Sequence, residues 1–137
     1  MTEEENKKCH YIIHTCAAAA GAGNVAPVPG LGVATDLGAM TLMAISLASV
    51  FGQELTRAAA RGVAYAALKK VVVEQPVKFA TKEAVKIVPI VGQIISASIS
   101  VALTEAAGWQ LAQEFAAARD AACGRALELG RVGLPPG

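Results

Sequence analysis

The chain has 137 residues, a length that suits one domain with a substantial core and is short for two. Its composition is 54% hydrophobic and 17% charged, and only 4% is aromatic, so the apolar excess consists mainly of small aliphatic side chains. The net charge of +1 excludes a strong electrostatic field directed at nucleic acid or at an acidic partner. Small apolar side chains let helices approach closely, which suits a tight bundle or a membrane-embedded hairpin.

The chain is predicted to be all-α, forming a compact bundle of five or six helices in a single domain over residues 9–129. No run of alternating apolar and polar residues is long enough to indicate a strand. Residues 1–8 are charged and are expected to form a flexible lead, and residues 130–137 are expected to form a flexible tail. Proline and glycine between the apolar runs mark the predicted helix boundaries.

Two segments share a V-P-x-x-G turn that leads into an apolar helix rich in small residues. The first turn, over residues 27–32, precedes a predicted helix over residues 33–51. The second turn, over residues 89–92, leads into a predicted helix that reaches about residue 107. These two helices are expected to pack against each other in the centre of the bundle, with Gly38 in the contact. The substitution Gly38→Leu would then overpack that contact.

The remaining helices are predicted to cover this central pair. One runs over residues 9–20 and ends at the glycines that follow, and another spans residues 53–73. A basic amphipathic helix is predicted over residues 77–88. The last part of the chain either breaks at Gly108 or continues through it as a helix to about residue 129.

Both halves of the chain carry residues that resemble the signature of a known bacterial family. They are the prolines and glycines of the two turns, one acid in each apolar helix, and the threonine and glycine beside the second acid: Pro27, Pro29, Gly30, Gly32, Asp36, Pro89, Gly92, Thr104, Glu105 and Gly108. The pattern is similar to the domain of unknown function found C-terminal to Era-type small GTPases and in YcjF-like inner-membrane proteins. The resemblance implies a helical, membrane-associated protein that acts beside a GTPase.

The chain itself has no G-x-x-x-x-G-K-[ST] phosphate loop, so any nucleotide chemistry would come from a GTPase partner in trans. No catalytic group is predicted, because both histidines lie on one short helix with no acid or serine placed beside them by the sequence. No cofactor is expected. Nucleic acid is not an expected partner, because aromatic residues do not alternate with the basic ones. The chain is therefore predicted to be non-enzymatic.

The first predicted helix carries four possible metal ligands close in sequence, namely Cys9, His10, His14 and Cys16. His10 and His14 are one helical turn apart and could share a zinc ion. The two cysteines lie about 10 Å apart along the helix axis and point away from the histidines, so one ion cannot bind all four. The prediction is therefore of buried thiols and interfacial imidazoles, with no metal site.

Asp36 and Glu105 each lie within an apolar helix, one in each half of the chain. A buried acid must be paired, hydrogen-bonded or protonated. Asp36 is expected to cap the first turn of its helix, with Thr35 or Thr41 nearby, and Glu105 is expected to be exposed at the end of its helix. The alternative for both is a functional buried acid.

Two functions are consistent with these patterns. In the first, the protein is associated with the inner face of a bacterial membrane, where Lys78, Lys82 and Lys86 contact anionic lipid head groups, and residues 31–51 are about long enough to span a bilayer. In the second, it is a soluble bundle in the bacterial cytoplasm, serving as an interaction or structural module. Incomplete burial of the apolar helices predicts a homo-oligomer. The absence of a secretory signal and the odd number of cysteines favour a reducing compartment.

Overall fold

The computed structural model describes residues 1–23, 31–74 and 91–133, and these residues form four helices with no strand. The helices are α1 (Glu3–Gly23), α2 (Leu31–Val50), α3 (Arg57–Glu74) and α4 (Val91–Val132). The all-α prediction is confirmed for this part of the chain. Of the predicted turn over residues 27–32, residues 27–30 lie outside it, and residues 31–32 are helical, contrary to the prediction. The predicted basic helix over residues 77–88 and the proline at position 89 also lie outside it.

The first helix begins at Glu3, so the expected start at Cys9 is wrong and most of the expected flexible lead is helical. Thr2 and Glu5 form a reciprocal cap. The Glu5 amide donates to the Thr2 hydroxyl at 3.1 Å, and the Thr2 amide donates to the Glu5 carboxylate at 2.8 Å. This T-x-x-E pair satisfies two amides that the first turn would otherwise leave unpaired. Ion pairs from Lys7 to Glu3 and from Lys8 to Glu4 extend along the exposed side of the helix.

The second helix ends where the sequence predicts, because Gly52 adopts a left-handed conformation with φ of 72°. The Gln53 amide donates to the Ala48 carbonyl at 2.9 Å, and the Gly52 amide donates to the Ser49 carbonyl at 3.1 Å. This pair of hydrogen bonds is a Schellman motif, which ends a helix at a residue that tolerates positive φ. The chain therefore turns sharply after α2.

The third helix begins at Arg57, four residues later than expected, because Thr56 caps it. The Thr56 hydroxyl accepts a hydrogen bond from the Ala59 amide at 3.2 Å. The connection before it is fixed by Gln53, whose side-chain amide donates to the Phe115 carbonyl at 3.0 Å. The loop between α2 and α3 is thereby tied to α4.

The fourth helix is one continuous helix of 42 residues. Gly108 lies inside it, so of the two alternatives left open for this glycine the continuous helix is correct. The helix also extends through residues 130–132, which were expected to belong to a flexible tail. Residues 134–137 lie outside the described part of the chain.

The two small-residue helices, α2 and α4, contact each other, and each also contacts both α1 and α3. Within the described residues α1 and α3 do not contact one another, so they flank the pair on different sides. The core contains side chains from all four helices, among them Ile13, Met40, Met43, Leu47, Val71, Leu103, Leu111 and Phe115. The predicted packing of α2 against α4 is therefore present.

The glycine expected at this contact is nevertheless the wrong one. Gly38 is exposed, and a Cβ atom at this position would have no heavy atom within 4 Å. Gly108 is the tight position, because a Cβ there would lie 2.9 Å from both Ile13 Cγ1 and Met43 Sδ. Gly21, which was expected to stop α1, is also a packing residue: its Cβ would lie 2.7 Å from Val101 Cγ2. The backbones of α1 and α4 therefore approach each other closely, and glycine is needed at these two positions of the contact.

We expect Gly108→Leu to lower the free energy of unfolding by about 1–3 kcal/mol, because the added side chain must displace Ile13 and Met43. Gly38→Leu is the matched control. It fills open space and removes a flexible glycine from a helix, so it should leave stability unchanged or raise it by up to about 1 kcal/mol. Urea denaturation followed by circular dichroism measures both. A greater loss for Gly38→Leu than for Gly108→Leu would contradict this packing.

Candidate functional site

A cluster of titratable side chains lies where α1 packs on α4. His14 Nδ1 lies 2.5 Å from the Glu105 Oε1 atom, and His14 Nε2 lies 3.0 Å from His10 Nε2. The His10 ring also contacts Trp109 edge-on, with ring centroids 6.0 Å apart. The four side chains therefore form a chain of contacts from the carboxylate to the indole, and we call them the His–Glu cluster.

Helix periodicity explains how the cluster assembles. His10 and His14 are one turn apart on α1, and Glu105 and Trp109 are one turn apart on α4, so each pair shares a helix face. Because the Glu105 carboxylate accepts a hydrogen bond from His14 Nδ1, the Nε2 atom of a neutral His14 carries a lone pair. That lone pair points toward His10 Nε2. The arrangement holds the two imidazoles and the carboxylate in a defined orientation.

Two features of this grouping differ from the prediction. Glu105 was expected to be exposed at a helix end, but it is half-buried in the interior of α4 and paired with His14. The sequence also placed no acid beside the histidines, whereas the packing of α1 on α4 does so. Only one signal was visible beforehand, namely that Glu105 is an acid within an otherwise apolar stretch.

The second acid, Asp36, is only 2% exposed to solvent. It accepts a hydrogen bond from the Ser100 hydroxyl at 2.6 Å. Ser100 is itself fully buried on α4. The carboxylate of Asp36 therefore reaches across to a different helix, a contact that the sequence did not predict. Thr41, one of its suggested partners, donates to the Leu37 carbonyl at 2.7 Å. Asp36 and Ser100 thus join the two small-residue helices through a buried polar contact.

The other residues of the predicted signature have mixed placements. Thr104 and Gly108 are buried on α4. Gly32 and Gly92 belong to the first turns of α2 and α4. The remaining signature residues, Pro27, Pro29, Gly30 and Pro89, lie outside the described residues, as do the candidate lipid-binding residues Lys78, Lys82 and Lys86. Asp36, Thr104 and Gly108 therefore line the interior, whereas Glu105 belongs to the partly exposed His–Glu cluster.

The thiols differ in exposure. Cys9 is fully buried and Cys16 is half-buried, and burial raises the pKa of both thiols, with the Glu5 charge adding to the effect at Cys9. The predicted buried thiol is confirmed for Cys9 and only in part for Cys16. Cys123 is exposed. No two of these cysteines form a disulfide in the structure.

A separate polar cluster around Arg119 lies where the start of α1 contacts α4. Its guanidinium forms ion pairs with Glu5 and with Asp120, and it lies 5.2 Å from the centre of the Phe51 ring. The Thr2 amide, and then Arg119, lower the pKa of Glu5. Hydrogen bonds to Asp120 and Glu5 raise the pKa of Arg119. This cluster connects α1, α4 and the end of α2.

Two surface grooves flank α2. The first, between α1 and α2, has a volume of about 800 Å³ and is lined by Glu4, Lys7, Lys8, Tyr11, Ile12, Ile45, Ser46, Ser49 and Val50. Both of its lysines are already paired with glutamates on α1. Its charges are therefore largely compensated within the protein.

The second groove, between α2 and α3, has a volume of about 1020 Å³ and combines apolar and basic side chains. It is lined by Leu37, Gly38, Thr41, Leu42, Arg57, Ala58, Arg61, Gly62 and Tyr65. Leu42 and Tyr65 are more than half exposed. Neither Arg57 nor Arg61 forms an ion pair with any described residue. We call this surface the α2–α3 groove.

The described residues contain neither a candidate membrane span nor a candidate cluster of three metal ligands. No helix among them is both long enough and apolar enough to cross a membrane. No group of three or more His, Cys, Asp or Glu side chains among them is placed to hold a metal ion.

Comparison with known proteins identifies no relative of this chain. No protein-family model matches the chain, and no curated protein or solved structure is significantly similar to it. The resemblance to the GTPase-associated domain therefore stays a prediction, as do the membrane association and the GTPase partner that it implies.

We expect Ser100→Ala to lower the free energy of unfolding by about 1–3 kcal/mol, because the buried Asp36 carboxyl loses a hydrogen-bond donor. Ser49→Ala, at an exposed position of α2, is the matched control and should change stability by at most about 0.5 kcal/mol. Urea denaturation of both variants measures the difference. Equal effects would show that the Asp36–Ser100 contact does not contribute to stability.

Proposed function

We propose that this protein is a non-enzymatic helical module that binds the surface of an anionic membrane through the α2–α3 groove. The observation that carries the proposal is the combination, in one groove, of exposed apolar side chains with two arginines that no described residue neutralises. Peripheral membrane binding depends on both contributions, since apolar side chains enter the interface while cations attract acidic head groups.

The geometry of α3 supports a flat contact. Arg57, Arg61, Tyr65 and Lys69 follow one another at intervals of four residues, so they form a single stripe along the exposed side of the helix. All four side chains are exposed. Leu42 on α2 lies across the groove from this stripe. A lipid surface could therefore meet basic and apolar groups at the same time.

The α1–α2 groove is a poorer candidate for an anionic surface. Its lysines are paired with glutamates of the same helix, so binding there would require existing ion pairs to be exchanged for new ones. The arginines of the α2–α3 groove need no such exchange within the described residues. Charge complementarity thus selects the α2–α3 groove.

The sequence adds further basic residues to the proposal. A fifth helix over residues 77–88 would carry Lys78, Lys82 and Lys86 on one side, because they recur at intervals of four. These lysines would extend the positively charged contact at the inner face of a bacterial membrane. A GTPase partner in trans rests on the family resemblance alone.

Liposome flotation tests the proposal. Binding should require vesicles that contain an anionic phospholipid and should weaken as salt is added. The double substitution Arg57→Glu and Arg61→Glu should lower binding by about 30-fold or more, since each basic residue near the surface contributes about 1 kcal/mol.

The matched control is Arg125→Glu with Arg131→Glu, which makes the same charge change on the exposed end of α4. It should bind vesicles nearly as well as the parent protein. Equal losses for both double variants would point to a nonspecific charge effect and would contradict the groove. An absence of flotation with anionic vesicles at low salt would remove the membrane proposal.

Self-association is the second candidate function, and the end of α4 favours it. Every residue from 121 to 133 is exposed, including Leu127, Leu129 and Val132. Leu129 follows Phe115 and Ala122 at heptad spacing, so the side of α4 that is buried at Phe115 continues beyond the bundle. A second copy of the chain would cover this side in a homo-oligomer.

If a second copy binds the end of α4, the double substitution Leu129→Glu and Val132→Glu should convert the oligomer into a monomer, because these two residues are i,i+3 neighbours on the side that the second copy would cover. Leu42→Glu, at an exposed apolar position in the α2–α3 groove, should leave the oligomer intact. Size-exclusion chromatography with light scattering measures the mass of each. A parent protein that is monomeric at high concentration would contradict self-association.

A further inference from the structure

We infer that His10 and His14 form a binding site for a divalent late transition-metal ion, such as Cu²⁺ or Zn²⁺, with Glu105 orienting the site. Two histidines one helical turn apart on the same face are a recurring metal-binding arrangement. Sequence spacing alone made this pair ambiguous, and no metal site was predicted from it. The contact from Glu105 supplies a second, independent observation.

The distances between the side chains fit a metal ion. The two Nε2 atoms lie 3.0 Å apart and the ring centroids lie 4.0 Å apart, so the two nitrogens are close enough to bind one ion. Two nitrogens bound at about 2.0–2.1 Å to a tetrahedral ion would lie about 3.3 Å apart. A shift of a few tenths of an ångström, within the freedom of exposed side chains, would therefore admit the ion.

Glu105 occupies the place of an orienting carboxylate. It accepts the hydrogen bond from His14 Nδ1 at 2.5 Å, which fixes the tautomer that leaves His14 Nε2 free to bind a metal. His10 binds through Nε2 when its proton is on Nδ1, so both imidazoles coordinate in their neutral forms. The carboxylate also places a negative charge close to the cation.

The solvent exposure of the histidines determines which ligands complete the coordination of the metal ion. The His14 side chain is 49% exposed, so water can complete the coordination around the two nitrogens. No third protein ligand is available among the described residues. Imidazole ligands suit copper, nickel and zinc, and the usual order of affinities places Cu²⁺ above Zn²⁺.

Trp109 provides a local reporter for binding. It is the only tryptophan in the chain, and its ring centroid lies 6.0 Å from that of His10. Cu²⁺ bound to the histidines should quench its fluorescence with a stoichiometry of one ion per chain, and Zn²⁺ should compete.

Variants test each role at pH 7.5 in a Cys123→Ser background, which removes the exposed thiol. His10→Ala and His14→Ala should each weaken Cu²⁺ binding by at least 10-fold. Glu105→Gln should weaken it by about 10-fold, because the amide oxygen still accepts from His14 Nδ1 but carries no negative charge. Glu114→Gln, on the same helix but beside α3, is the matched control and should bind like the parent.

Nitrogen-15 NMR of the histidine rings in the parent protein gives a measurement that needs no substitution. Zn²⁺ should shift the Nε2 signals of both rings, and the proton of each bound ring should be on Nδ1. Quenching that persists in the variant lacking both histidines, or no binding by millimolar Cu²⁺, would overturn the site. Loss on only one of the two histidine substitutions would show a single imidazole contact and would also overturn it.

Discussion

Ile13 packs directly on the backbone of α4 at Gly108, in the space where any other residue would carry a side chain. Gly21 allows a second close contact between the same two helices, with Val101. Two such contacts fix the register of antiparallel helices, because sliding one along the other would drive side chains into backbone. The same register brings His14 to Glu105. It also brings Glu5 to Arg119, so both polar clusters of the α1–α4 contact depend on this packing.

The helices could be predicted where their signals are local. The sequence shows a run of small apolar residues followed by Gly52, which predicts a helix that ends at this glycine. The observed end of α2 at Val50 and the left-handed conformation of Gly52 agree with that prediction. The capping pair of Thr2 and Glu5 was equally visible, but the run of charges around it resembled a flexible lead. Which glycine permits close packing was not visible. Gly38 and Gly108 both lie in apolar helices, and only the arrangement of the neighbouring helices distinguishes them.

The sequence identified which polar residues of the candidate sites need a partner, but it did not identify the partners. An acid within an apolar helix must find a compensating group, and that requirement correctly singled out Asp36 and Glu105. Their partners, Ser100 and His14, lie on other helices and far away in sequence. Spacing along a single helix carries no information about such pairs. The metal site follows the same logic, since the histidine spacing was known and the orienting carboxylate was not.

The length of α4 has a mechanical consequence. The helix is continuous from the bundle through residues 121–132, and these residues extend about 18 Å beyond it at 1.5 Å per residue. A partner held at the tip would keep a fixed distance and rotational phase relative to the helical core. Any rotation of α4 within the bundle would be transmitted to that partner. This segment would then be a rigid spacer for such a partner, with its angle set by the glycine contacts that hold α4 against α1.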